Sequence, residues 1–263
     1  MSAVPKGSEP VLQREDREGV VWLTMNRPQQ MNLLTSEMID ALQAAFDALA
    51  QDRKARVVVL AGAGKGFCAG HDLKEIRGFD QHGTALLFEQ CSRMMTTIAA
   101  LPQPVIARVQ GAGAAAGCQL VAQCDLAVAS EAAKFATPGV NWGFFCSTPG
   151  VAIGRNLLRK RAMEMLLTGD LIDAATAREW GLVNRVVSAA DLDAEVERLA
   201  RQIAVKPRET VAAGKRAFYQ QMDLGLERAY DLASGVIARS FATEEGKEGM
   251  SAFIEKRPPP GSR

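Results

Sequence analysis

The stretch Ala61–Ile76, AGAGKGFCAGHDLKEI, decides how the rest of the chain is read. It follows the run Arg56-Val57-Val58-Val59-Leu60, whose short β-branched character marks a buried strand of an α/β sheet. Helical sequence comes after it. Glycine in such a loop lets the main chain approach a ligand closely, and N–H groups at a helix start stabilise negative charge. Two phosphate-loop readings fail. A Walker A motif needs Gly where Val59 stands and Ser or Thr where Gly66 stands. A dinucleotide fingerprint starting at Gly62 needs Gly where Phe67 stands.

A second loop of the same kind lies further on. Val105–Val109 reads as another buried strand, Gln110–Gly117 as a glycine-rich turn, Gln119–Val121 as the start of a short helix and Leu126–Val128 as a strand. Two N–H donors from such loops, converging on one carbonyl, form an oxyanion hole. The alternative is a pair of tight turns between sheet and helix.

Around these loops, Val20–Thr24 reads as a strand ending at Asn26-Arg27-Pro28. From a Thr35 cap, Met38, Ile39, Leu42, Phe46 and Leu49 fall at helical spacing. Leu86–Leu101, Asn156–Leu167 and Asp173–Trp180 read as helices, with Gly181 as a C-cap, and Leu182–Val187 as a strand. From Asp191 onward the chain is helical, with breaks near Pro207, Gly225 and Gly246. The expectation is one α/β unit with a helical appendage. The chain ends, MSAVPKGSEP and Pro258 to Gly261, read as frayed.

The 263 residues carry 31 Lys+Arg against 30 Asp+Glu, a balance without the basic face that nucleic acid requires. No apolar run approaches the ~20 residues of a membrane helix. The two histidines, His71 and His82, are too few for a three-His metal site, so no metal is expected. His82 reads as surface, in a polar connection from Gly78 to Gly83. Five cysteines with no C-x-x-C pair fit reduced, buried thiols. The first ten residues show neither an apolar signal core nor an Arg-rich amphipathic pattern, and a cytoplasmic location is expected.

The run Phe67-Cys68-Ala69-Gly70-His71-Asp72-Leu73 resembles the A-G-x-D-L loop of the crotonase (enoyl-CoA hydratase/isomerase) family. Asn26-Arg27-Pro28 with Met31-Asn32-Leu33, Pro104-Val105-Ile106-Ala107, Gly117-Cys118, Cys124-Asp125, Gly169-Asp170 and Gly181-Leu182-Val183 continue the match, as does the tail from Glu248 to Arg257. The resemblance implies a spiral of β-β-α turns in residues 1–200 and a helical region, 201–263, that builds trimers or hexamers. It also implies an acyl-CoA ligand, with the thioester carbonyl held by the N–H groups of His71 and Ala116. Adenine is expected against the backbone of Ala69, Gly70, Asp72 and Leu73. Met31 and Leu33 are expected along the CoA path, and Lys256 at its phosphates; CoA enters as substrate, with no tightly bound cofactor.

Hydratases of the family use two glutamates, and here their positions hold Gln119 and Gly139. An amide neither takes nor gives a proton near neutral pH, and glycine has no side chain. Classical hydration is therefore doubtful, and a non-catalytic acyl-CoA binder stays open as the alternative. Some members with Gly at the second position recruit an external anion as base, so free volume is expected beside Gly139. The His71 imidazole either serves proton transfer or points away while its N–H acts. Cys146, Ser147 and Thr148 face the acyl pocket if a helix starts near Pro149; the alternative is an ordinary helix cap.

Overall fold

The computed structural model describes residues 9–258. Strand β1 (Leu12–Arg17) turns through Glu18 and Gly19, both at positive φ, into β2 (Val20–Met25). Helix α1 (Ser36–Gln51) is capped by the Thr35 hydroxyl, which accepts from the Met38 N–H. Next come β3 (Val57–Gly62), α2 (Leu73–Arg77), α3 (Gln81–Ala100), β4 (Val105–Val109), β5 (Ala112–Ala114), α4 (Ala116–Gln123), β6 (Leu126–Ser130) and β7 (Lys134–Ala136). The chain continues with α5 (Ser147–Asn156), α6 (Arg159–Thr168), β8 (Ile172–Asp173), α7 (Ala174–Trp180) and β9 (Arg185–Val187). It ends in α8 (Leu192–Ala204), α9 (Arg208–Met222), α10 (Leu226–Ala242) and α11 (Glu244–Ile254).

Six strands form the main sheet in the order β1-β2-β3-β4-β6-β9, parallel except for β1 against β2. Its central strands are buried on both faces, which explains their apolar runs, interrupted in β4 by the half-buried Arg108 that pairs with Asp193. Val58 and Leu60 of β3 face the larger core with α1, α3 and α4, whereas Val57, Val59 and Ala61 face Leu192, Val196, Leu199 and Ala200 of α8.

A second layer of short strand pieces runs beside the main sheet. Leu34 bridges His71, Cys68 bridges Gly113, and β5 pairs with β7, which pairs with β8. Each turn of the chain thus supplies a main-sheet strand, a short second-layer piece and a helix, as in β4-β5-α4 and β6-β7-α5. This is the expected spiral of β-β-α turns.

Helix α9 is fastened to this body by a buried ion pair. Lys215 Nζ donates to Asp125 Oδ2 at 2.7 Å and to the carbonyls of Ile98 and Gln103, and Tyr219 donates to Asp125 Oδ1 at 2.9 Å. Helix α10 buries none of its residues, and Leu226, Tyr230, Ile237 and Phe241 are exposed along it. Among the described residues no helix is long and apolar enough to cross a membrane.

Several expected boundaries shift. Asp80 caps α3 by accepting from the Gly83 N–H, so the Gly78–Gly83 connection is partly helix, and His82 lies exposed in its first turn. Asn156 ends a helix instead of starting one. The last break falls at Thr243, whose hydroxyl accepts from Gly246 N–H and draws that glycine into α11. Of the chain ends read as frayed, residues 1–8 and 259–263 lie outside the described part.

Candidate active site

The two glycine loops meet main chain to main chain. The Phe67 and Cys68 N–H groups donate to the Ala112 carbonyl at 3.0 and 3.1 Å, and Ala114 N–H returns a bond to the Cys68 carbonyl at 2.9 Å. Glycine is required for this approach: a Cβ on Gly117 would stand 2.0 Å from the Cys68 carbonyl oxygen. The first loop is further held by Asn32, whose amide donates to the carbonyls of Ala63, Gly66 and Phe67 while its Oδ1 accepts from Arg27 N–H.

Gly70, at φ +97°, brings His71 beside the start of α4, and a Cβ built on Gly70 would lie 3.3 Å from the Ala116 nitrogen. Ala115 holds φ 50°, ψ −118°, a conformation an L side chain rarely adopts, and so turns Ala116 into the first position of α4. Among the described residues, neither the His71 nor the Ala116 N–H donates to another group.

Both residues line a cavity of about 570 Å³. Ala69, Leu73, Phe88 of α3, Gly139, Phe144, Phe145 and Cys146 line it as well. Trp142 stands at its edge, 75% exposed. Of the other expected site residues, Gly70 lies between the loops and Gln119 is buried one turn into α4, its Oε1 without a partner. Asp72 caps α2 by accepting from the Lys74 and Glu75 N–H groups. Met31, Leu33 and Lys256 do not line the cavity; Met31 instead covers Gly66 and accepts from Ala69 N–H at 3.0 Å.

His71 lines this cavity without opening its Nε2 to it. The ring packs edge-on against Phe88, with centroids 4.8 Å apart, and its Nε2 is buried without a hydrogen-bond partner. Leaving such a group unsatisfied costs about 1–3 kcal/mol. Burial disfavours the imidazolium and pushes the pKa down to about 4, so the ring is neutral at pH 7.

Gly139 lines the cavity, but the direction its side chain would take is filled. A Cβ there would meet the Phe144 carbonyl oxygen at 2.6 Å and the Cys146 sulfur at 2.8 Å. The Pro138–Trp142 turn closes with Phe144 N–H donating to the Gly139 carbonyl, which folds the following residues over the vacated position. Helix α5 starts at Ser147, two residues before Pro149, and Cys146 is its N-cap without a side-chain cap bond. Ser147 donates to the Phe145 carbonyl, so the ordinary Ser cap is not formed. Burial raises the Cys146 thiol pKa, partly opposed by the Gly139 N–H.

Sequence reasoning passed over Phe88, Phe144 and Phe145. The aromatic cluster Trp142-Gly143-Phe144-Phe145, directly after the vacated glutamate position, was the available signal.

Fold and cavity together define a class: a β-β-α spiral whose ligand cavity is bordered by two glycine loops joined through their main chains. The chain belongs to the enoyl-CoA hydratase/isomerase (crotonase) family, which residues 15–261 match. It is 46% identical over 95% of its length, and 84% of the relative's, to a Xenopus laevis protein named enoyl-CoA hydratase domain-containing protein 3, mitochondrial. A crystal structure of an enoyl-CoA hydratase from Mycobacterium smegmatis superposes with a TM-score of 0.95 at 50% identity, covering 97% of this chain and all of that one (100%). The human enoyl-CoA hydratase domain-containing protein 3 structure gives 0.92 at 42% identity, over 95% and 99% of the two chains. The Xenopus relative's name places it in mitochondria, and this overturns the cytoplasmic expectation drawn from the first ten residues.

Proposed function

We propose that the chain is an acyl-CoA enzyme that polarises a thioester carbonyl between the N–H groups of His71 and Ala116, and that ordinary enoyl hydration is not its reaction. The observation that carries this is the pair of undonated N–H groups on one cavity wall, brought together by the glycine-dependent contact of the loops. Two donors aimed at one oxygen favour the enolate over the thioester, because the negative charge develops there. The carboxylates that would place and split water are replaced by Gln119 and Gly139. Each such group is typically worth about 10² to 10⁴ in rate.

The CoA moiety follows Ala69, Gly70, Asp72 and Leu73 out of the cavity, past Met31 and Leu33, and Lys256 meets its phosphates. Self-association into a trimer or a dimer of trimers is supported by the exposed apolar side chains of α10.

The test is crotonyl-CoA with the purified protein, followed by loss of the conjugated thioester absorbance and, separately, by thermal stabilisation. Stabilisation without turnover is expected. Turnover at ordinary enzyme rates, about 1 to 10³ per second, would refute the reading of Gln119 and Gly139. Stabilisation by crotonyl-CoA with no acyl-CoA turned over would favour a non-catalytic binder.

A further inference from the structure

Among the described residues, no Asp, Glu, Lys or Arg lines the cavity of about 570 Å³ that holds His71 and Ala116. Its side chains are mainly hydrocarbon: Leu73 and Ile76 from α2, Phe88 from α3, and Trp142, Phe144 and Phe145 from the segment between β7 and α5. The aromatic members of that segment keep surface to offer, since Phe144 is 48% and Phe145 45% exposed. Polar side chains are few. His71 keeps its Nε2 sealed, and Ser147 donates to the Phe145 carbonyl within the segment. The charged groups nearest in sequence are engaged elsewhere: Asp72 with the α2 N–H groups, Glu75 with the Ser36 N–H.

The position of the second family glutamate has joined this lining. The Phe144 ring stands 3.0 Å and the Cys146 sulfur 2.8 Å from the place a Gly139 Cβ would take. Hydrocarbon and sulfur therefore occupy the direction in which a carboxylate would have pointed. A space of this size accepts far more than a four-carbon chain, and apolar surface left wet inside it marks where an apolar group belongs.

We propose that Phe144 and Phe145, with Phe88 and Leu73, make this the seat of an uncharged hydrocarbon acyl group longer than crotonyl, and that they select against acyl groups bearing a carboxylate. The proposal rests on the acyl-CoA reading above and names the substrate class of that site. A thioester carbonyl held by the His71 and Ala116 N–H groups directs its acyl chain among side chains that line the same space. Each further methylene takes apolar surface of both chain and protein out of water, which is worth about four-fold in affinity. A carboxylate in its place loses hydration and finds no cation in exchange.

The experiment is calorimetric titration of the protein with butyryl-, hexanoyl- and glutaryl-CoA. In glutaryl-CoA a carboxylate replaces the last two carbons of hexanoyl-CoA. Hexanoyl-CoA is expected to bind about 15-fold more tightly than butyryl-CoA, with a more negative heat-capacity change. Glutaryl-CoA is expected to bind about 10²-fold more weakly than hexanoyl-CoA. Phe144→Ser/Phe145→Ser shortens two exposed side chains and leaves the core untouched. It should bind butyryl-CoA much as the wild type does and gain less than about two-fold per added methylene. Trp142→Ser, at the cavity edge, supplies the same comparison if the double variant folds poorly.

Equal affinity for butyryl- and hexanoyl-CoA, or glutaryl-CoA bound as tightly as hexanoyl-CoA, would overturn the proposal while the acyl-CoA reading stands. A double variant that keeps the full gain per methylene would overturn the assignment to Phe144 and Phe145. Failure of all three thioesters to bind would remove both readings.

Discussion

Restoring the second family glutamate is the most direct attempt to recover hydration, and the structure predicts that Gly139→Glu fails. The obstacle is packing, since Gly139 is buried in the Pro138–Trp142 turn without a positive φ. The first added carbon would stand 2.6 Å from the Phe144 carbonyl oxygen, 2.8 Å from the Cys146 sulfur and 3.0 Å from the Phe144 ring. Two of the three contacts come from groups that the turn itself fixes. Over-packing of this kind costs about 1–3 kcal/mol, so Gly139→Ala alone should lower stability by that amount. For a chain of this size that is a fall in Tm of about 2–12 °C. The carboxylate adds several kcal/mol if it stays ionised without a partner, so Gly139→Glu should be the less stable of the two. Thermal unfolding of Gly139→Ala, Gly139→Glu and Gly139→Ala/Cys146→Ala, each assayed with crotonyl-CoA, makes the comparison. The double variant should regain part of the loss, because it removes the sulfur contact and leaves the carbonyl one. A Gly139→Glu protein with wild-type Tm and measurable hydration would refute the reasoning.

Three further predictions concern stability. Lys215→Met strands Asp125 in the body of the protein with Tyr219 and the Val105 N–H as its remaining partners, and should cost about 3–5 kcal/mol in a denaturant titration. On acidification the unfolded chain protonates His71 near 6.5 while the folded chain resists until about 4. Unfolding therefore takes up a proton in that window, and stability that is complete above about pH 6.5 falls by at most ~1.4 kcal/mol per pH unit below it. His71→Gln should flatten that acid limb, and an unchanged limb would count against the burial of the ring. Ala115→Gly relieves a backbone held at φ 50° and should raise stability by about 1 kcal/mol, the reverse of the usual Ala-to-Gly effect.

Much of the spiral was legible because its strands are buried on both faces and write themselves as β-branched runs. Val57–Leu60 and Val105–Val109 could be placed from composition alone. Strand β1 could not. Its sequence Leu-Gln-Arg-Glu-Asp-Arg is that of a solvated edge, and only pairing with β2 makes it a strand. Helix α10 was legible as a helix, whereas its exposed apolar face carries no local signature of what meets it. In the site, the glycine pattern pointed to the meeting of the two loops. The filling of the Gly139 position did not show, because it depends on a turn that returns Phe144 and Cys146 to a residue several positions earlier. The orphan Nε2 of His71 likewise arises from packing against α3, far along the chain.

The junction of the two glycine loops consists of amide-to-carbonyl bonds, Phe67 and Cys68 to Ala112 and Ala114 back to Cys68. None of them asks anything of a side chain beyond the absence of one at the glycines. Drift can therefore rewrite the residues around the cavity one at a time while the scaffold keeps its hold on a ligand. A lineage built this way can exchange one chemistry for another without passing through an unfolded or ligand-blind ancestor, and a name inherited along it records descent of the backbone more faithfully than the reaction carried out.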